Sequence, residues 1–142
     1  MYTGYCNRFT WHCSAVYCPA TGKPGTSGFW PEQIPGSNNM IDYLHCLNSQ
    51  DGEIEASRNW FPACSFLEDT AFSLYQLMEK FPGGLYHLDA NPGLHFYEIV
   101  KKLSHLQHRE WRVIATENPD MNNRMVDDRI QIKKIVDHFK DS

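Results

Sequence analysis

Residues 84–116 read GLYHLDANPGLHFYEIVKKLSHLQHREWRVIAT. The short apolar run from Leu85 to Leu88 favours a strand, and the alternating, β-branched segment from Trp111 to Thr116 favours another. Between them, apolar side chains recur at the spacing of one helix face. These are Phe96, Ile99, Val100, Leu103 and Leu106. A strand, a helix and a strand in this order favour an α/β architecture.

Two further patterns predict where helices begin. Asn91 is a good N-cap, and Pro92 suits the first turn of the helix that follows it. Ser65-Phe66-Leu67-Glu68 has the spacing of a capping box, in which the serine and glutamate side chains bind free backbone donors. The helix after Ser65 is expected to end at Pro82-Gly83-Gly84. Its expected buried face contains Leu67, Ala71, Leu74, Met78 and Phe81.

Regular structure is expected from Met40 onward. Met40, Tyr43, Leu44 and Leu47 have helical spacing, and an Asn-Ser-Gln-Asp-Gly turn follows. The segment from Glu53 to Trp60 favours a short strand. Near the carboxyl terminus a last helix is predicted, with Asp127 or Asp128 near its start. Its apolar positions are Ile132, Ile135, Val136 and Phe139.

Residues 1–39 are rich in Gly, Pro, Ser, Thr, Asn and aromatic residues and show no sustained helical period. Val16-Tyr17 could close a short strand before Cys18-Pro19. From Ala20 to Asn39 the glycines and prolines predict a long loop. The chain therefore divides into an irregular segment, 1–39, and a regular part, 40–142.

Composition excludes several classes of protein. The chain has 142 residues, enough for one domain, and 42% of them are apolar, which permits a core. A net charge of −4 argues against nucleic acid as the main partner. Scattered basic residues and the lack of a long apolar run argue against a membrane. No secretory signal is seen, and five cysteines fit reduced thiols, so a cytoplasmic location is expected.

The amino-terminal cysteines leave two interpretations open. Cys6, His12, Cys13 and Cys18 could in principle surround a zinc ion. Paired Cys-x-x-Cys spacing is absent, however, and the aromatic residues between the cysteines favour ordinary buried thiols.

Two motifs spell out reductase chemistry without its structural context. Residues 21–28 match a Thr-Gly-x-x-Gly-x-x-Gly nucleotide loop, in which glycines let the backbone approach a pyrophosphate. Pro31 and Pro35 follow where the phosphate-binding helix should run, and prolines disfavour a helix there. Tyr97 and Lys101 spell Tyr-x-x-x-Lys, in which a lysine would lower the tyrosine pKa for acid–base work. An amphipathic surface helix is the favoured interpretation of that second match.

Several segments, in order along the chain, resemble parts of the dTDP-4-dehydrorhamnose reductase family of extended short-chain dehydrogenases/reductases. Pro119, the run Asn122-Asn123-Arg124-Met125 and Asp127 resemble the family's Arg-Pro-x-Asn-Ser-x-Leu-Asp tail. The other matching segments are Val16-Tyr17-Cys18-Pro19, Phe61-Pro62 with Phe66-Leu67-Glu68-Asp69-Thr70-Ala71, Gly84-Leu85-Tyr86-His87-Leu88 and His95-Phe96-Tyr97-Glu98-Ile99.

The resemblance implies that residues 40–142 form the carboxyl-terminal, sugar-nucleotide-binding lobe of a Rossmann-type reductase. Residues 1–39 would retain the last Rossmann strand and loop. The family reduces a 4-keto sugar with NADPH. Most of the Rossmann half is missing here, and with it the nucleotide loop and the catalytic tyrosine and lysine. We therefore expect this chain alone to bind no cofactor and to have no catalytic residue.

The expected ligand is a dTDP-sugar-like sugar nucleotide, bound near Arg124, Asn122, Arg58 and Trp60. A guanidinium suits a diphosphate through paired hydrogen bonds, and Trp60 could offer a flat face for a base or sugar. The alternative is that Arg124 neutralises a nearby aspartate (Asp120, Asp127 or Asp128) and that Trp60 belongs to the core.

Three functional interpretations remain open. The first is the sugar-nucleotide-binding portion of an oxidoreductase, inactive alone, for which a separate Rossmann-domain chain is a candidate partner. The second is a non-catalytic, partner-binding subunit, since the same family includes the regulatory subunit of methionine adenosyltransferase. The third is a gene fragment without independent activity.

Overall fold

The computed structural model describes residues 9–11, 14–18, 25–26 and 40–140. These residues form a mixed α/β fold of short strands and four helices. The strands are β1 (Phe9–Trp11), β2 (Ser14–Cys18), β3 (Gly25–Thr26), β4 (Ile54–Ser57), β5 (Trp60–Phe61), β6 (Cys64–Phe66), β7 (Gly84–Leu88), β8 (Val113–Thr116) and β9 (Met121–Asn122). The helices are α1 (Met40–Asp51), α2 (Leu67–Lys80), α3 (Phe96–Leu106) and α4 (Ile135–His138).

The strands make four small sheets within the described residues. β2 lies between β3 and β7 and is antiparallel to both, and β1 pairs antiparallel with β6. Two pairs are parallel: β4 with β8, and β5 with β9. Parallel strands need a crossover connection, and α2, β7 and α3 lie in the chain between the members of each pair. The α/β prediction is confirmed.

The core contains side chains from all four helices and from the strands. Its fully buried side chains contribute most of the hydrophobic stabilisation, because each removes its whole apolar surface from water. They include Met40, Ile41, Leu44, Ile54, Leu77, Leu88, Ile99, Val100, Leu103 and Ile135. Trp111, Ile130 and Ile132 are also buried. The predicted apolar face of α3 is therefore confirmed, with Leu106 packed at its edge.

The predicted start of α3 is wrong. Gly93 has a φ of +131°, which a right-handed helix does not allow, so no helix can run on from Asn91. The Asn91 side chain instead accepts hydrogen bonds from the backbone N–H groups of Gly93 and Leu94. α3 begins at Phe96, and His95 is its N-cap. His95 Nδ1 accepts from the Glu98 N–H while the Glu98 carboxylate accepts from the His95 N–H, a reciprocal capping box.

The capping box predicted at Ser65 is also wrong. Ser65 belongs to β6, which runs directly into α2, and the N-cap Phe66 makes no side-chain cap bond. The Ser65 hydroxyl is buried and lies 2.5 Å from the Thr70 hydroxyl. Thr70 in turn donates to the Phe66 carbonyl. The Ser65 side chain thus makes a buried hydrogen bond with Thr70 and does not cap α2.

The buried face of α2 differs from the predicted one. Thr70, Ser73 and Leu77 are buried, whereas Leu67 and Met78 are 47% and 43% exposed. Ala71 is exposed as well, and Leu74 and Phe81 are only partly buried. The hydrogen bonds of Thr70 explain the rotation, because they hold the polar side of the first turn against β6. The predicted stop is right, since α2 ends at Lys80.

The two remaining helices, α1 and α4, differ in length from the sequence-based prediction. α1 continues through the predicted turn and ends at Asp51, and the next residue, Gly52, has a φ of +71° that favours glycine. α4 has a single turn, Ile135–His138, so Ile132 precedes it. Asp127 does not start this helix. Its carboxylate accepts from the His87 N–H and from Arg129.

The structure describes only some of the residues before Met40. Val16-Tyr17 lies in β2, and that predicted strand is confirmed. Of the possible zinc ligands, only Cys18 is described, at the end of β2; Cys6, His12 and Cys13 lie outside the described residues. The matching nucleotide loop 21–28 also lies outside them, except for Gly25 and Thr26 in β3. Within the described parts, no helix is long and apolar enough to cross a bilayer.

Candidate functional site

Hydrogen bonds join the carboxyl end of the β4–β8 pair to the start of the β5–β9 pair. The ladder of β4 and β8 continues past its last residue pair, because the Arg58 N–H donates to the Thr116 carbonyl at 2.9 Å. Ser57 Oγ donates to the Pro119 carbonyl at 2.7 Å and accepts from the Asn59 N–H at 3.0 Å. Segment 57–61 is thereby fixed against segment 116–123. In open α/β folds, ligands bind beyond the carboxyl ends of parallel strands, and Arg58 lies at that end of β4.

Trp60 connects β5 to the segment after β9 and to the start of α3. Its indole Nε1–H donates to Asn123 Oδ1 at 3.2 Å, and its ring centroid lies 4.8 Å from that of Phe96 at the start of α3. The ring also packs against the core. With its polar atom and one edge already engaged, Trp60 positions β5 against α3. The interpretation of Trp60 as a core residue therefore fits the geometry better than that of a free stacking surface.

Asn122 and Arg124 are two residues apart and are joined by a hydrogen bond. Asn122 Oδ1 accepts from the Arg124 N–H at 3.1 Å, and the register opposes Asn122 to Phe61. The Arg124 Nε–H donates to the Asn91 carbonyl at 3.1 Å, which ties β9 to the loop before α3. Asp127 is paired by Arg129, whose Nη2 lies 2.7 Å from Asp127 Oδ2. Among the described residues, no ion pair joins Arg124 to Asp120, Asp127 or Asp128.

Arg58 faces a tyrosine together with a lysine. The Arg58 guanidinium carbon lies 5.0 Å from the centre of the Tyr97 ring, and Lys101 Nζ lies 5.5 Å from the same centre. Both distances are within the range of cation–π attraction. Both cations are exposed and Tyr97 is half-buried. One ring therefore gathers two positive charges on a chain whose net charge is negative.

The nearby carboxylates are engaged elsewhere. Glu117 Oε2 accepts from the Asn59 side chain at 3.0 Å, and Glu98 Oε2 lies 3.4 Å from His95 Nε2. In the described part of the chain, no carboxylate lies within ion-pairing distance of Arg58 or Lys101. The surface at Arg58, Tyr97 and Lys101 is accordingly suited to an anion.

Sequence reasoning placed two of these residues differently. Arg58 was expected in the site with Asn122 and Arg124, but its N–H donates to Thr116 and its guanidinium lies over Tyr97. Asn122 and Arg124 instead contact each other, and Arg124 contacts Asn91. Tyr97 and Lys101 were assigned to an ordinary surface helix. The signal that could have found them is the aromatic residue and the lysine at i and i+4, which share a helix face. Their relation to Arg58 depends on tertiary packing, which this spacing does not reveal.

Nucleophile, metal and cofactor chemistry find little support in the described residues. Burial, reinforced by the negative charge of Asp89, raises the pKa of the Cys64 thiol and keeps it protonated. No group of three or more His, Cys, Asp or Glu side chains arranged for a metal occurs among the described residues. Between 40 and 140, no turn from a strand into a helix contains more than one glycine, so these residues do not fit the phosphates of NADPH.

Comparison of the chain with protein-family models, with curated proteins and with solved structures gives no match.

Proposed function

We propose that this chain binds a sugar nucleotide, with the diphosphate held by Arg58 and Lys101 beside the Tyr97 ring. The observation that carries the proposal is the pair of cations, both within 5.5 Å of one ring centre. Both cations lie at the same ring, so their like charges repel each other, and a bound anion would relieve that repulsion. A diphosphate offers oxygens to both groups at once, and a guanidinium binds phosphate oxygens in pairs.

The resemblance to dTDP-4-dehydrorhamnose reductases supports the choice of ligand class. In this proposal residues 40–142 are the sugar-nucleotide-binding lobe of a Rossmann-type, cytoplasmic reductase system. A separate Rossmann-domain chain would supply NADPH and the catalytic groups for reduction of a 4-keto sugar. Arg124 and Asn122 then shape the loop at Asn91 beside the site, and Trp60 supports α3.

The test is a calorimetric titration with dTDP and with UDP. We expect binding that Lys101→Ala weakens at least tenfold, or about 1.4 kcal/mol. Lys102→Ala is the matched control, because Lys102 follows on the same helix but its Nζ lies over the Phe139 ring at 5.7 Å. That control should bind as the parent chain does.

A second variant pair separates the site from general electrostatics. Arg58→Ala should weaken binding as strongly as Lys101→Ala. Arg112→Ala should leave binding unchanged, because Arg112 lies just before β8, at the end of the β4–β8 pair away from Arg58. Its Nε is 3.5 Å from Glu53 Oε2. Pyrophosphate should compete with dTDP if the phosphates are the anchor. Absence of binding at millimolar nucleotide, or equal losses in all four variants, contradicts the proposal.

A further inference from the structure

Three aromatic rings lie next to one another beside the cations of Arg58 and Lys101. The Tyr97 ring, which faces both cations, has its centre 6.2 Å from that of the His95 ring, and the two planes are inclined by 37°. The His95 ring centre lies 6.3 Å from that of Phe61, at an interplanar angle of 72°. We call Tyr97, His95 and Phe61 the aromatic row. One end of the row is thus beside two positive charges, and the other end is Phe61.

Phe61 is an aromatic side chain that the core does not use. Successive residues of a strand point to opposite sides, and Trp60 takes the inner side of β5, where its ring packs against the core and Phe96. Phe61 therefore points the other way, and this half-buried ring is not one of the described side chains that pack against the core. Its T-shaped contact with His95 uses at most one of its two faces. A face of the Phe61 ring is left for a flat ligand.

The polar groups of the row's two outer residues are engaged within the protein. His95 Nδ1 accepts from the Glu98 N–H, and His95 Nε2 lies 3.4 Å from Glu98 Oε2. The Phe61 carbonyl accepts from the Asn123 N–H at 2.9 Å. A ligand at this end of the row therefore meets ring faces. Stacking on a ring face tolerates any base, because every base has a π-face, whereas discrimination between bases needs hydrogen bonds.

We infer that the aromatic row binds the base of the nucleotide and accepts purine and pyrimidine nucleoside diphosphates alike. This inference rests on the proposed function and extends it, since the diphosphate stays at Arg58 and Lys101 while the base stacks on Phe61. A nucleotide carries its base one ribose away from its phosphates, and the row places Phe61 one ring away from Tyr97. The ligand class is then nucleoside diphosphates and their sugar esters, without selection of thymine.

The test compares four ligands by calorimetric titration of the full chain: dTDP, UDP, ADP and pyrophosphate. The three nucleotides should bind with affinities less than tenfold apart, because stacking is tolerant of the base. Pyrophosphate should bind at least tenfold more weakly than each of them, since it has the charges but no base to stack.

Variants of Phe61 separate stacking from charge. Phe61→Leu keeps an apolar side chain but removes the flat ring, so it should weaken the three nucleotides at least tenfold and leave pyrophosphate unchanged. Phe61→Tyr keeps the ring and should bind as the parent chain does. Phe72→Leu is the matched control, because Phe72 is a 61% exposed aromatic residue of α2. That control should leave all four affinities unchanged.

The outcomes distinguish this inference from the proposed function. Pyrophosphate binding that Lys101→Ala weakens, with no gain from any base, overturns the inference and keeps the anion site. A tenfold preference for dTDP over ADP, or equal loss of all four ligands in Phe61→Leu, also overturns it. Absence of binding of every ligand at millimolar concentration overturns the inference and the proposed function together. Circular dichroism verifies that each variant is folded, and if Phe61→Leu is not, the comparison of nucleotides with pyrophosphate on the parent chain decides.

Discussion

At the scale of single residues, Asp127 is a carboxylate firmly held by hydrogen bonds and charge. Its side chain is only 4% exposed, and the Arg129 guanidinium donates to both of its oxygens. The bond from the Arg129 side chain lowers the pKa of Asp127 well below its ordinary range, and the His87 N–H adds to the effect. Because the folded protein holds this carboxyl proton less tightly than the unfolded chain, the ionised form stabilises the fold.

This stabilisation is fully present above the unfolded aspartate pKa of about 4 and is lost as the pH falls below it. We expect the urea midpoint to decline below about pH 4, and Asp127→Asn to reduce that decline. Asp137→Asn is the comparison, since the Lys140 bond also lowers the Asp137 pKa but the side chain is 40% exposed. Solvent screening should make its effect smaller. An unchanged acid decline in Asp127→Asn would contradict this account.

Asp89 is the second residue with a specific expectation. It is buried, and its Oδ1 accepts from the N–H groups of Cys64 and Asn91 while its Oδ2 accepts from the Met125 N–H. One carboxylate thus joins three separate segments. Asp89→Asn keeps the shape but turns an N–H group toward a backbone donor, which should cost about 1–3 kcal/mol of unfolding free energy. Urea denaturation measures it, and a loss below about 0.5 kcal/mol would show that the segments are held by other contacts.

At the scale of elements, the rotation of α2 has a measurable effect. Leu77 is fully buried, so Leu77→Ala should cost roughly 2–5 kcal/mol. Met78→Ala, one residue along the helix and 43% exposed, should cost well under 1 kcal/mol. Thermal denaturation of the two variants distinguishes the observed face from the one that the sequence favours. Equal losses of stability in the two variants would indicate that Met78 is buried in the core.

The sequence predicts elements better than it predicts their orientation. The apolar stripe of α3, the strand at Leu85 to Leu88 and the stop at Pro82 follow from periodicity and backbone restriction, which are local. The N-cap His95 escaped notice, because Asn91 and Pro92 make a better local signal that the positive φ of Gly93 defeats. The face of α2 depends on a hydroxyl pair with β6. Likewise, the meeting of Arg58 with Tyr97 depends on packing between distant segments.

At the scale of the whole molecule, we expect the isolated chain not to oxidise NADPH in the presence of a dTDP-4-keto sugar. The reason is that its described strand-to-helix turns lack the glycines by which a Rossmann fold binds the pyrophosphate of NADPH. A steady-state absorbance assay checks this. Turnover that Tyr97→Phe abolishes would contradict the expectation and restore Tyr97 and Lys101 as a catalytic pair. Turnover that appears only after addition of a Rossmann-domain protein would agree with a divided enzyme.

The pairing of distant strands has a consequence for how the chain reaches its fold. Residue 9 meets residue 66, residue 14 meets residue 88, residue 54 meets residue 113 and residue 60 meets residue 121. Each of these contacts closes a loop of more than fifty residues, and the entropy of closure must be overcome before the pairing stabilises anything. Chains dominated by such contacts fold in milliseconds to seconds. We therefore expect slow refolding, and exposed strand edges that favour aggregation while it proceeds.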